Sequence, residues 1–163
     1  MIELTEEMVV RSWEWMDSME IDEIHSMVDQ LGDEQPDILS YLVDAGKDIL
    51  NQQEREKLIF MGVATWKIIR DVVTKPPFIN LDLLSEKEEL NFRMLEYLAG
   101  EPDNQFRDTV EMIMGKYPQT ALLTFITELI IDENEDLISL KKDNSGIIAI
   151  YIKTIIDCFE EAA

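Results

Sequence analysis

Two segments of this chain, residues 58–73 and 146–159, are apolar around nearly the whole circumference of a helix. A helix without a polar face must be surrounded by other helices, so each segment is expected to be a central element of the fold. Gly62 inside the first segment is expected to let a neighbouring helix approach closely. Neither segment reaches the roughly 20 uninterrupted apolar residues of a membrane span. Charged residues interrupt both segments: Lys67, Arg70, Asp71, Lys153 and Asp157.

Helix start and stop signals divide the chain into about eight helices, and no strand pattern of useful length appears. The signals are an N-cap at Thr5, a glycine stop at Gly32, first-turn prolines at Pro36, Pro102 and Pro118, and capping boxes at residues 51–54 and 85–88. Residues 137–140 are expected to form a short turn, and Asn144 or Ser145 to cap the final helix. The predicted fold class is all-α, as a compact bundle or a HEAT-like helical array.

The length of 163 residues predicts a single all-helical domain, 1–163, with two similar four-helix halves, 1–75 and 85–163. Residues 75–84, which begin at Lys75 and contain two prolines, are the predicted linker between the halves. A shift of 86 residues places Lys67 over Lys153 and Asp71 over Asp157. These correspondences leave two explanations open: an internal duplication, or amphipathic helices that align through their pattern alone.

The charge balance restricts the partners of the chain. Lysine and arginine number 14 against 35 acidic residues, which gives a net charge of -21. This surplus repels nucleic-acid phosphates and anionic lipids, so neither direct nucleic-acid binding nor a membrane partner is expected. It promotes solubility and suits a basic partner. The single cysteine, Cys158, and the acidic start of the chain predict a cytoplasmic protein.

No residues with recognisable catalytic, cofactor-binding or metal-ligating chemistry stand out, and no cofactor is predicted. His25 is the sole histidine, so Asp22 and His25 lack the second histidine motif that a carboxylate-bridged metal site needs. The acidic run at residues 132–136 lacks the spacing of a calcium loop. No glycine-rich phosphate loop is present.

The first predicted helix, near residues 6–19, offers the one candidate binding surface. Met8, Trp15 and Met19 cluster on an apolar arc of roughly 200°, which is wide for a helix that is covered from one side. Burial between neighbouring helices would explain this arc, as would docking of a basic protein or of a second copy of the chain as a homodimer. The sequence therefore favours a non-enzymatic interaction or adaptor protein. The alternatives are a small enzyme or ligand-binding protein with a pocket between the two halves, and a nucleic-acid mimic.

Overall fold

The computed structural model describes residues 1–131 and 136–163. Over these residues the chain forms helices and no strand, as the sequence predicts. The helices are α1 (Glu6–Asp17), α2 (Ile21–Glu34), α3 (Pro36–Asp44), α4 (Gln52–Val72), α5 (Leu81–Ala99), α6 (Asp103–Lys116), α7 (Thr120–Ile130), α8 (Ser139–Lys142) and α9 (Ser145–Ala162). They pack as a compact helical bundle, which confirms the all-α fold class.

The two apolar segments form the inner helices α4 and α9, and these helices contact each other. Helix α4 also contacts α1, α2, α3 and α7, while α9 also contacts α5, α7 and α8. Residues 61–69 of α4 are all buried because neighbours cover every side of that stretch. The prediction that both segments occupy the centre of the fold is therefore confirmed.

Gly62 permits the close packing of α3 on α4. A Cβ atom at this position would lie 2.5 Å from both Cδ atoms of Leu42, well inside van der Waals contact. Glycine usually costs a helix about 1 kcal/mol relative to alanine, and here it leaves room for the side chain of a neighbouring helix. The expected close approach at Gly62 is confirmed.

Several predicted boundaries agree with the structure. The Thr5 hydroxyl accepts a hydrogen bond from the Met8 amide at 3.2 Å and caps α1. Asn51 and Glu54 form the reciprocal capping box that begins α4, with both bonds at 2.9 Å. Pro36 lies in the first turn of α3. Local capping chemistry thus sets these three helix starts.

Three predicted boundaries are wrong. Helix α2 runs through Gly32 to Glu34, so Gly32 is not its stop. Helix α5 begins at Leu81, because Asn80 caps it by accepting a hydrogen bond from the Leu83 amide at 2.9 Å. The predicted capping box at residues 85–88 therefore lies inside α5, and the connection between α4 and α5 is shorter than the predicted linker. Helix α7 begins at Thr120, two residues after Pro118.

Two buried glutamines join the halves of the chain in the same way. Gln119, before α7, accepts a hydrogen bond from the Leu4 amide at 2.9 Å and donates one to the Ile2 carbonyl at 2.9 Å. Gln35, before α3, accepts a hydrogen bond from the Ile79 amide at 3.0 Å and donates one to the Pro77 carbonyl at 2.8 Å. Each glutamine therefore holds the segment that precedes the first helix of the other half.

The packing contacts between helices show the same correspondence between the halves as the two glutamines do. Helix α3 packs against α5, and α7 packs against α1. If α1, α2, α3 and α4 correspond to α5, α6, α7 and α9, then α3 corresponds to α7 and α5 to α1. The α3–α5 contact is then equivalent to the α7–α1 contact. Residues 1–75 and 85–163 thus pack together within one bundle, and these contacts favour a duplication over a chance alignment of amphipathic helices.

Candidate docking surface

The two tryptophans of α1 have different environments. Trp13 packs edge-on against the rings of Phe60 and Phe125, at centroid distances of 5.9 and 5.7 Å. Trp15 keeps 54% of its surface exposed. Helix α1 is covered by α4 and α7, so its wide apolar arc extends beyond the part that these helices bury. The uncovered part includes Trp15.

Trp15 lies in a shallow depression of about 420 Å³ between α1 and the end of α4. We call this depression the docking surface; it is lined by Met8, Arg11, Ser12, Trp15, Asp71 and Val72. The structure thus brings together Met8 and Trp15, two of the three residues predicted from the sequence. The third, Met19, lies outside the depression, half-buried against the main core.

A partly buried ion pair lies beneath Trp15. Lys67 and Asp71, one turn apart on α4, form a salt bridge, and the Lys67 ammonium lies 4.5 Å from the centroid of the Trp15 ring. The Ser12 hydroxyl donates a hydrogen bond to Asp71 Oδ2 at 2.7 Å. The cation–π contact holds Trp15 over Lys67, while the Asp71 carboxylate reaches the depression.

The second half contains a corresponding ion pair on α9. Lys153 Nζ lies 2.8 Å from Asp157 Oδ2, which also accepts a hydrogen bond from the amide of Asn91 on α5 at 2.9 Å. The Tyr117 hydroxyl donates a hydrogen bond to Asp157 Oδ1. Burial, and secondarily the Asp157 charge, raises the pKa of Tyr117, so this hydroxyl stays protonated and donates. Side chains of the protein itself therefore cover the Asp157 carboxylate and satisfy its oxygens.

Sequence reasoning missed Ser12 and Asp71 as part of the surface. Asp71 looked like an interruption of an apolar helix, and Ser12 belongs to another helix 59 residues away along the chain. The signal was the register that places Lys67 and Asp71 over Lys153 and Asp157. Read as a repeated ion pair, it would have directed attention to the helix surface beside Asp71.

An apolar cavity of about 60 Å³ lies inside the second half, among α5 to α9. Its walls include Phe106, Val110 and Ala149. It is not at the boundary between the two halves, where the sequence interpretation placed a ligand pocket.

Burial, with the neighbouring Asp157 charge, raises the pKa of the Cys158 thiol to about 12. This pKa leaves Cys158 as a neutral core group at physiological pH.

The described residues offer little metal chemistry. His25 is exposed on α2, and residues 1–131 and 136–163 contain no group of three histidine, cysteine or acidic side chains placed to hold a metal ion. Most of the acidic run at 132–136 lies outside the described residues. Within the part of the chain that the structure describes, no helix has the length and apolar character needed to cross a membrane.

The fold and this surface define a class of protein: an acidic helical bundle that carries an open, tryptophan-lined depression. Comparison with known proteins gives no closer relationship. The chain matches no family model, no curated protein sequence and no solved structure.

Proposed function

We propose that this protein acts by binding another protein through the docking surface on α1 and α4. The observation that carries the proposal is the exposure of Trp15 beside a partly buried ion pair. Large aromatic side chains that are held rigidly at a surface are the usual anchors of protein interfaces. Met8, which is 38% exposed in the same depression, adds an adaptable apolar contact next to this anchor.

The charge around the docking surface favours a basic partner. Residues 1–20 contain six acidic residues and one arginine, and the whole chain carries a net charge of -21. A field of this sign attracts positively charged proteins and speeds their encounter with the surface. Trp15 and Met8 then supply short-range contacts that distinguish one basic partner from the others.

The test compares three forms of the full chain as baits in a pull-down: wild type, Trp15→Ala and Tyr97→Ala. Tyr97 is a matched control because it is an aromatic residue on another helix, α5, and is 74% exposed. Circular dichroism first establishes that both variants keep the helical content of the wild type. The proposal expects a basic protein that wild type and Tyr97→Ala retain and that Trp15→Ala loses.

Three outcomes would contradict the proposal. Equal retention by all three baits would show that Trp15 is not the anchor. A basic partner that all baits retain and that added DNA displaces would support nucleic-acid mimicry instead. A wild-type dimer in light scattering that becomes a monomer in Trp15→Ala would make the occupant a second copy of the chain.

A further inference from the structure

We infer that the partner places a lysine or arginine side chain against Asp71 in the docking surface. This inference rests on the proposed function and specifies the chemistry of the group that is recognised. Its basis is a comparison between the two ion pairs of the chain. The two lysines are similarly covered, but the Asp71 side chain is partly open to solvent, whereas Asp157 is largely covered by the second half of the protein.

The two aspartates differ in the number of donors that they receive. Asp157 accepts hydrogen bonds from Lys153, Asn91 and Tyr117. Among the described residues, Asp71 accepts hydrogen bonds from Lys67 and Ser12. A carboxylate has about four acceptor positions on its two oxygens, so Asp71 has capacity for a further donor.

Exposure agrees with this difference. The Asp71 side chain is 30% exposed, against 15% for Asp157. Asp71 lines the depression, so a side chain that enters beside Trp15 reaches its carboxylate. A partner side chain would therefore donate the further hydrogen bond to Asp71, whereas Asp157 receives its third hydrogen bond from a residue of this chain.

The walls of the depression suit a cationic side chain with a long apolar stem. Met8, Trp15 and Val72 present apolar surface beside the Asp71 carboxylate. Lysine and arginine bury their methylene groups against such surface and keep the charged end on a polar partner. Charge-assisted hydrogen bonds to carboxylate are stronger than those between neutral groups.

Arg11 also lines the depression and carries the same charge as the proposed occupant. Its guanidinium pairs with Glu7 at 2.9 Å, and Lys67 pairs with Asp71. Arg70, the chain neighbour of Asp71, pairs with Glu34 at 2.8 Å, so all three nearby cations already have carboxylate partners. The surplus of acidic residues in the chain disfavours an anionic occupant, so a cation is the better match.

The test is an NMR titration of the full chain labelled with nitrogen-15, following the indole N–H signals of its three tryptophans. The Trp15 signal is assigned by its loss in Trp15→Phe. The probes are the N-acetyl N-methylamides of lysine, norleucine and glutamate. Norleucine has the apolar stem of lysine without its ammonium group, and glutamate reverses the charge.

We expect the lysine probe to shift the Trp15 signal in a saturable manner at millimolar concentration. Norleucine should bind about fivefold more weakly, which corresponds to one partly exposed ion pair. Asp71→Asn should remove this preference for lysine. Asp17→Asn, which removes an exposed charge of α1 outside the depression, should keep it.

Equal binding of lysine and norleucine, stronger binding of glutamate, or no saturable Trp15 shift would each overturn the inference. These comparisons use the wild-type chain, so they remain decisive if Asp71→Asn fails to fold. The inference and the proposed function fail in different ways. Lysine binding without a Trp15-dependent protein partner refutes the proposed function, whereas a Trp15-dependent partner that binds Asp71→Asn equally well refutes the inference.

Discussion

The two buried glutamines that join the halves should be among the most sensitive polar positions of the fold. Gln119 is 0% exposed and holds the Leu4 amide and the Ile2 carbonyl through its side-chain amide. In Gln119→Met, a side chain of similar length and without a hydrogen-bonding amide replaces it. The backbone groups of the N-terminal segment then lose their partners.

The magnitude follows from what each backbone group can do afterwards. Leu4 is 1% exposed, so its amide has no access to water and costs about 1–3 kcal/mol when it is left unsatisfied. Ile2 is exposed, so its carbonyl can bond to water, and the loss there is about 1 kcal/mol. The free energy of unfolding of Gln119→Met should therefore fall by about 2–4 kcal/mol.

Gln35→Met provides the internal comparison, because it removes the equivalent bonds to Ile79 and Pro77. Its loss should be slightly smaller, since Gln119 also donates a hydrogen bond to Glu160 and Gln35 has no counterpart to that bond among the described residues. Gln30→Met on the exposed face of α2 is the control and should change stability by about 0.5 kcal/mol or less. Urea unfolding followed by circular dichroism measures all three variants. A loss below about 1 kcal/mol at both buried positions would refute the reasoning.

Four further predictions concern packing and the buried thiol. Gly62→Ala should lower the unfolding free energy by about 1–3 kcal/mol because the new methyl group would overpack Leu42. Gly115→Ala should raise it by about 1 kcal/mol, because a Cβ atom there would meet no atom within 4 Å. Urea unfolding measures both variants, and equal effects would contradict the packing explanation. Val110→Ile adds a methylene group beside the apolar cavity and should stabilise by up to about 0.8 kcal/mol in the same assay, whereas destabilisation would mean that the cavity does not admit it. Cys158 should react with Ellman's reagent only as the protein unfolds, and fast reaction of native protein would refute its burial. Because its pKa is about 12 when folded and about 8.5 when unfolded, the unfolded thiol ionises first, so its contribution to stability is full below about pH 8.5 and is lost as pH rises toward 12.

The sequence was sufficient for features that depend on local chemistry or on the overall apolar pattern. The capping box at Asn51 and the central position of α4 both follow from neighbouring residues. The start of α5 did not follow from neighbouring residues, because Asn80 and the capping box at residues 85–88 are competing helix-start signals within a few positions. Asn80 provides the cap, and the hydrogen bond from the buried Ile79 amide to Gln35, 44 positions earlier in the chain, fixes the preceding segment.

The docking surface could be predicted only in part for a similar reason. The wide apolar arc of α1 identified Met8 and Trp15, but it also included Met19, which packs against the main core. The covering of Trp13 depends on Phe60 and Phe125, which belong to α4 and α7 and lie far away along the chain. Asp71 joins the surface through the packing of α1 on α4, so no local pattern around Trp15 includes it.

The most direct test of the proposed function is the affinity of the basic partner for wild type, Trp15→Ala and Tyr97→Ala, measured by isothermal titration calorimetry. If Trp15 is the anchor of the interface, its truncation should weaken binding at least about tenfold, while Tyr97→Ala should bind as wild type does. Equal affinity of wild type and Trp15→Ala, or an equal loss in both variants, would contradict a docking surface centred on Trp15.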